Sequence, residues 1–449
     1  MNRRDFTTAL AMAAFAGLAG CTGRSRAAAA SRPSALVPDP DGILDLPPGY
    51  RYRVISRLGD RMDDGHVVGD RADGMGCFPA GRGRAALVRN HELGPRHQDA
   101  GPFRGRDVAT SYDRLADGTA LPGGTSTLIY DVARGRVEAQ FQSLAGTIRN
   151  CAGGTTPWGS WLTCEEDVTR AGNGVGRDHG WVFEVPAAAR GLVDPVPLRA
   201  MGRFNHEAAA VDPATGIVYL TEDRPDSLFY RFLPARPGRL SEGGRLQALA
   251  LVAGDDSRNW AGIDFPARAI RPVRWIDLDG ADSAADDLRM RGHAAGAARF
   301  ARGEGIYFGT GELYFCCTSG GAAKLGQIFR YRPSPHEGQP GERDQPGQLE
   351  NFVESTDPMM FNFGDNLTVA PNGHLIVCED QYTDPVDNHL RGVTPAGEVY
   401  TIGRCRLQTE LAGACFSPGG QVLFVNLYSP AMTLAITGPW HVGEMQPAA

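Results

Sequence analysis

Short apolar runs recur along this chain, each bounded by polar residues and joined in pairs by a turn rich in Pro and Gly. Residues 206–223 show the pattern most plainly. His206 and Glu207 open the run 208–211, Asp212, Pro213 and Gly216 turn the chain, and the run 217–220 leads into Thr221, Glu222 and Asp223. Runs this short suit strands, and two of them flanking a Pro/Gly turn predict an antiparallel hairpin. A hairpin brings its far ends together, so Glu207 is expected near Glu222 and Asp223. The same arrangement returns over 73–92, 150–167, 304–317, 365–380 and 410–426, which makes six units of an internal repeat. Further strands are predicted at 50–55, 125–131, 136–141, 180–185, 227–232, 246–253, 327–331 and 397–402. A short helix is predicted at 109–115, a helical stretch within 282–300 and a surface loop over 337–348.

Six units of this kind predict an all-β chain folded as a six-bladed β-propeller with loop and short helical insertions. A blade cannot bury its own faces, so closing the ring is what supplies the core. A large β-sandwich is the competing architecture, and the two differ in where they put the acids. The innermost strand of a propeller blade begins near the axis. Asp73, Cys151, Glu207, Glu304, Asp365 and Glu410 would then ring one mouth of the channel. Glu92, the pair Glu165 and Glu166, the pair Glu222 and Asp223, and the pair Glu379 and Asp380 would lie one strand further out. A sandwich would scatter them.

Composition changes the picture in three ways. With 449 residues, 42% of them apolar, the chain can build a large core, and its 58 glycines and 31 prolines favour turns over long helices. A net charge of −7 without a concentrated basic stretch disfavours nucleic acid as a partner. Residues 1–30 read as a twin-arginine export signal: Asn2-Arg3-Arg4-Asp5-Phe6 precedes an apolar stretch over 7–19 that is too short to span a bilayer. Leu18-Ala19-Gly20-Cys21 has the form of a lipobox with Cys21 acylated; ordinary cleavage near Ala27 to Ala30 is the alternative. Similarity to such signals implies passage of an already folded protein through the twin-arginine machinery. Residues 31–449 are therefore expected to form one propeller domain, monomeric, periplasmic or extracellular, meeting a membrane only through a lipid anchor at Cys21.

Carboxylates crowded on one rim repel each other unless a cation neutralises them. Glu165, Glu166, Glu207, Glu222, Glu304, Asp365, Asn366, Glu379 and Glu410 are the candidate oxygen ligands. An oxygen-rich ring suits Ca2+, and Fe3+ also accepts carboxylates. A thiolate among the acids would point to a transition metal, because sulfur is a poor ligand for calcium. The nine cysteines form no CxxC pair, which argues against structural zinc, and most sit inside apolar runs as small hydrophobes. Cys151 differs, standing between Asn150 and a Gly-rich turn at a strand start. Arg302 precedes Glu304 by two residues, so a strand would place both on one face and set a planar cation beside a metal-bound acid, a geometry suited to phosphate. No GxSxG element or P-loop is present, so a serine hydrolase or an ordinary nucleotidase is unsupported.

Several of these segments resemble one family. Asn150-Cys151-Ala152-Gly153-Gly154-Thr155-Thr156-Pro157-Trp158-Gly159, Thr163-Cys164-Glu165-Glu166-Asp167, Arg203-Phe204-Asn205-His206-Glu207, Arg302-Gly303-Glu304-Gly305, Glu410-Leu411-Ala412-Gly413-Ala414-Cys415 and Leu423-Phe424-Val425-Asn426-Leu427 are similar to motifs of the PhoX-type secreted alkaline phosphatases. The resemblance covers nearly all of the chain after the signal. It implies a six-bladed propeller, an iron–calcium cluster, and cleavage of phosphate monoesters with some action on diesters. It further implies Cys151 as the iron-bound thiolate, with Glu165, Glu166, Glu207 and Glu304 as carboxylate ligands to Fe3+ or Ca2+. Asp365, Asn366 and Glu410 would lie on the calcium side, and Arg302 would hold the phosphate of a small phosphorylated substrate. Catalysis would then rest on Arg302, Cys151 and Glu304. One position departs from the pattern: a lysine is expected shortly before Asp365, and here Asn362-Phe363-Gly364 stand. The chain is also similar to a shorter branch of the family. A calcium-bearing propeller without catalysis and a calcium-dependent lactonase-type hydrolase are the other readings.

Overall fold

The computed structural model describes residues 35–106 and 108–440. The twin-arginine signal, Cys21 and both candidate cleavage regions lie outside the described residues. Among those described, β1 (Leu44–Asp45) and β2 (Arg51–Arg57) come first, followed by a meander of β3 (Ala72–Pro79), β4 (Arg84–His91), β5 (Gly123–Asp131) and β6 (Arg136–Thr147). Next are β7 (Asn150–Thr155), β8 (Ser160–Glu165) and β9 (Val182–Pro186), then β10 (His206–Val211), β11 (Val218–Glu222), β12 (Tyr230–Pro234), β13 (Gly244–Leu251) and β14 (Ile270–Asp277). Helix α1 (Leu288–Ala294) leads to β15 (Gly303–Phe308), β16 (Leu313–Cys317), β17 (Gln327–Arg332) and β18 (Gln348–Glu354). The chain ends with β19 (Gly364–Val369), β20 (Leu375–Glu379), β21 (His389–Val393), β22 (Val399–Cys405), β23 (Leu411–Phe416), β24 (Val422–Leu427) and β25 (Met432–Thr437).

Each of the six sequence hairpins forms where the apolar runs and turns place it: β3 with β4, β7 with β8, β10 with β11, β15 with β16, β19 with β20 and β23 with β24, all antiparallel. The first strands of these hairpins, β3, β7, β10, β15, β19 and β23, touch one another in a closed cycle, with β23 against β3. This is a β-propeller arrangement. Apolar side chains of neighbouring sheets interlock around the ring, as Phe78, Trp161 and Phe183 do between the first and second sheets. Because both faces of the inner strands are covered, they read as nearly unbroken buried runs.

The expectation of six separate blades meets a more connected pattern. Among the described residues five sheets are hydrogen-bonded, and one has nine strands because β14 pairs with β13 on one edge and with β18 on the other. The strands β14, β18, β21 and β25 went unanticipated. No helix forms at 109–115; Asp113 instead accepts from the backbone N–H groups of Arg114, Gly176 and Arg177, and tertiary pairing overrides local preference. The helix within 282–300 shrinks to α1, seven residues long. The 337–348 segment is not wholly a surface loop: Glu337 is buried, accepting from Tyr219, Tyr331 and Arg231. β2 completes the last sheet by pairing with β25 from Arg51 opposite Thr437 to Arg57 opposite Met432, so opposite ends of the described chain close the ring.

Candidate metal centre

The register of the six inner hairpins breaks at one equivalent place. The shift falls between Ala72 and Met75, Asn150 and Gly153, His206 and Ala209, Gly303 and Ile306, Gly364 and Leu367, and Ala412 and Cys415. A bulge frees the residue after the first pair and re-aims its side chain. Those residues are Asp73, Cys151, Glu207, Glu304, Asp365 and, in the sixth hairpin, Gly413. The glycine is required there: its φ is +60°, and a Cβ would stand 2.4 Å from the Asp73 carbonyl oxygen. The residues that follow, Gly74, Ala152, Ala208, Gly305, Asn366 and Ala414, line a cavity of about 410 Å3 between the inner strands.

Side chains from the second strand of one hairpin hold the ring residues of the next. Asn90 donates to the Cys151 and Ala152 carbonyls at 3.0 and 2.8 Å, while Trp161 and Thr163 donate to its Oδ1. Asn426 donates to the Asp73 carbonyl and Thr221 to that of Glu304. The ring is thus stitched from sheet to sheet at the level of its ligand-type residues.

Two donor groups result. Atoms of Cys151, Glu166 and Glu207 lie within 4.8 Å of one another, as do those of Glu207, Glu304 and Asp365, so Glu207 belongs to both. Both carboxylate oxygens of Glu207 are buried without a hydrogen-bond partner, and so is Oδ1 of Asp73. The Cys151 thiol contacts Asp73 Oδ2 at 3.5 Å. Burial, then repulsion from Glu304 and Asp365, raises the Glu207 carboxyl well above the ordinary range. Asp73, Glu166 and Glu304 are raised in the same way, and Asp365 is pushed up to about 7 by burial and by Asp380. Burial and the surrounding acids raise the Cys151 thiol as well. Unpartnered oxygens cost free energy when buried, and like charges this close resist ionising together. The donor set therefore fits cations: oxygen ligands throughout, and one sulfur on the Glu166 side.

The strand-end acid pairs divide between two tasks, because successive residues of a strand face opposite ways. The first member of each pair is spent on the framework. Glu165 accepts from the N–H groups of Ile148, Gly180 and Trp181 and from His179 at 2.6 Å. Glu379 accepts from the N–H groups of Asn362 and His389 and from Arg391. Glu222 sits opposite His206, accepts from Tyr230 at 2.7 Å and faces Arg289. Glu165, Glu222 and Glu379 are thus not brought into the donor groups, contrary to their expectation as ligands: the oxygens of Glu165 and Glu379 already serve backbone and side-chain donors, and Glu222 is held by Tyr230 through Oε2 while its Oε1 faces Arg289 at 3.6 Å. The second members face the ring. Glu166 joins a donor group, while Asp223 and Asp380 raise the carboxyls of Glu304 and Asp365. Asn366 donates from Nδ2 to Asp365 Oδ1 and accepts from the Gly413 N–H through Oδ1, so it positions Asp365. Glu410 stands near Asp380, Asp73 and Asp365. Sequence reasoning set Asp73 in the ring without naming it a ligand, and Glu92, Asp223 and Asp380 at the strand ends without assigning them a role. A repeat aligned on the ring position reveals these last three, one residue beyond each second strand.

Arginines flank the acids. Arg302 reaches Asp223 Oδ1 and Oδ2 at 2.8 and 2.9 Å and Glu304 at 3.0 Å, as its spacing from Glu304 suggested. Arg149 reaches Glu92 at 2.6 Å and Glu166 at 2.5 Å, and Arg71 donates to the Tyr428 hydroxyl, which donates to Glu92. Sequence reasoning missed both Arg71 and Arg149. Their signal was the spacing Arg71-x-Asp73, Arg149-x-Cys151 and Arg302-x-Glu304. A cavity of about 740 Å3 opens beside them, lined by Arg71, Glu92, Arg149, Tyr382, Glu410 and Tyr428 among others.

No curated protein matches this sequence. The family model described as alkaline phosphatase PhoX matches residues 31–136 and 123–431. Among solved structures, Pseudomonas fluorescens PhoX in complex with vanadate, a transition state analogue, is similar at 20% identity, with a TM-score of 0.69 over 93% of this chain and 99% of that one. A Xanthomonas campestris gluconolactonase is similar at 15% identity with a TM-score of 0.41, over 91% of this chain and 99% of that one. A Dyadobacter fermentans protein of unknown function shares 9% identity with a TM-score of 0.46, over 87% of this chain and 100% of that one.

Proposed function

Because the chain belongs to the PhoX alkaline phosphatase family, and is thereby a phosphoric ester hydrolase, we propose that it cleaves phosphate monoesters, with diesters as lesser substrates, at a centre of Fe3+ and Ca2+ held by the inner ring. The observation that carries this reading is Glu207, whose two buried, unpartnered oxygens belong to both donor groups. The group of Cys151, Glu166 and Glu207 suits Fe3+, because it includes the thiolate. The all-oxygen group of Glu207, Glu304 and Asp365, with Glu410 nearby, suits Ca2+. When bound, such cations draw in an anionic substrate and polarise its phosphoryl oxygens.

The chain's own residues do the rest. Arg302 uses Nε and Nη2 on Asp223 and Glu304, which fixes its plane and leaves the Nη1 donors for a phosphoryl oxygen; a guanidinium of set orientation suits that role. Tyr382 lies against it, with the guanidinium 6.0 Å from the ring centroid. Glu304 orients Arg302, and Asn90 fixes the backbone of Cys151. The nine-stranded sheet counts as two blades on this reading, which makes six, and residues 31–449 form one monomeric domain. The signal over 1–30 sends it to the periplasm or beyond through the twin-arginine machinery, with Cys21 as a lipid anchor.

One observation favours a second reading, a calcium-binding propeller without catalysis: Phe363 and its neighbours stand where a lysine is expected. Elemental analysis of protein from an export-competent host, beside a p-nitrophenyl phosphate assay, separates the two. Iron with calcium and turnover is expected; calcium alone without turnover refutes the phosphatase reading. A lactonase-type hydrolase would instead turn over esters without iron.

A further inference from the structure

The repeat places Arg149 and Arg302 at one equivalent position. In every hairpin the residue just past the second strand donates its N–H to the carbonyl that precedes the inner strand: Glu92 to Arg71, Glu166 to Arg149, Asp223 to Asn205, Thr318 to Arg302, Asp380 to Phe363 and Tyr428 to Glu410. Arg149 and Arg302 share more than this bond. Each stands two residues before a ring residue, and their φ values are +46° and +57°. Left-handed backbone is uncommon for a residue with a side chain and concentrates at functional sites. Each guanidinium also bridges an acid of the preceding unit, Glu92 or Asp223, to an acid of one donor group, Glu166 or Glu304. The two donor groups share Glu207, so the two arginines stand on either flank of it.

Arg149 is the more available of the pair. Its side chain is 40% exposed against 23% for Arg302, and it lines the 740 Å3 cavity. Only Nε and one Nη2 hydrogen are engaged, by Glu92 and Glu166, so three of its five N–H donors remain. Phe363, which occupies the equivalent position before Asp365 with φ of +55°, brings no charge. We propose that Arg149 is a second substrate-binding residue, gripping the phosphoryl group from the flank of Glu207 opposite Arg302. The inference rests on the phosphatase reading above.

The test compares Arg149→Ala, Arg149→Gln and Arg149→Lys with the metal-loaded wild type. KM and kcat for p-nitrophenyl phosphate are measured, with the inhibition constant of inorganic phosphate, its binding by calorimetry, and the metal content of each variant. Loss of a charge-assisted contact should raise KM and both phosphate constants about 10- to 100-fold in the Ala and Gln variants. Metal content should hold, and Arg149→Lys should recover part of the affinity. Phosphate constants within about twofold of wild type, or losses that follow metal content instead, overturn the proposal. If Arg149→Ala fails to fold, the Gln and Lys variants decide by the same criteria. A wild type that neither turns over p-nitrophenyl phosphate nor binds inorganic phosphate sinks the phosphatase reading itself, whereas an active wild type with indifferent Arg149 variants sinks only this inference.

Discussion

Removing the cations should make the stability of this protein fall as pH rises. The perturbation is exhaustive chelation. Asp365 sets the scale, because burial and Asp380 hold its carboxyl near 7 in the fold, against 3.8 for the ordinary group. A carboxyl whose pKa is raised by folding keeps its proton in the native state. The stability that depends on that proton is fully present below 3.8 and is lost as pH climbs through 7. A difference of about 3 units is worth ~4 kcal/mol at ~1.4 kcal/mol per unit. Asp73, Glu166, Glu207 and Glu304 shift in the same direction and add to it. With ~2.1 cal/mol/K of unfolding entropy per residue over 449 residues, that single acid corresponds to ~4 °C in Tm. Calorimetric melts of the stripped protein at steps from pH 5 to pH 8, with and without added Ca2+, measure it. From pH 5 upward about 2 of those units remain to be lost, so Asp365 alone should lower Tm by ~3 °C over the range, and Ca2+ should restore it at pH 8 while adding little at pH 5. A flat profile for the stripped protein, or a calcium effect of equal size at both ends, would refute the account of the ring as acids awaiting charge.

Three further outcomes follow from the same geometry. Cys151→Ser should leave the fold intact and abolish iron in elemental analysis while calcium stays, with turnover falling beyond the ~10- to 100-fold that follows loss of a supporting group. Gly305→Ala would set a Cβ 2.6 Å from the Asn366 Cα, against backbone that cannot swing aside, so urea unfolding should register ~1–3 kcal/mol of destabilisation or more. His179 lies between Glu165 and Asp113; burial lowers its pKa, but the two carboxylates override this and raise it from 6.5 to about 9. Its contribution is present below 6.5 and lost as pH rises through 9, so Tm of the metal-loaded protein should decline between pH 7 and 10, and His179→Gln should flatten that decline.

The hairpins were legible because their apolar runs and Pro/Gly turns are local signals, and the inner ring was legible because its residues open those runs. The acid pairs were legible only as pairs. Glu165 and Glu166 look alike in sequence, and only the register with Asn150 and the pleat decide that one serves the framework and the other faces Cys151. The bulges that aim the ring side chains also leave no sequence signature of their own, since they follow equally from Gly74, Ala152, Ala208 and Asn366. The pairing of β14 with β18, and the burial of Glu337 against Arg231, depend on contacts between segments far apart in the chain. The three Arg-x-ligand triplets were readable, but only once the ring position was known as the anchor of the repeat.

The pairing of β2 with β25 has a consequence for how the centre comes to exist. Every residue of the two donor groups precedes residue 366, so a chain released before β25 would carry all of them. It would still lack the strand that fastens β2 to β24 in the last sheet. Such a fragment owns the full inventory of donors while its last sheet lacks the strand between β24 and β2, so cation affinity would report on whether that sheet has closed.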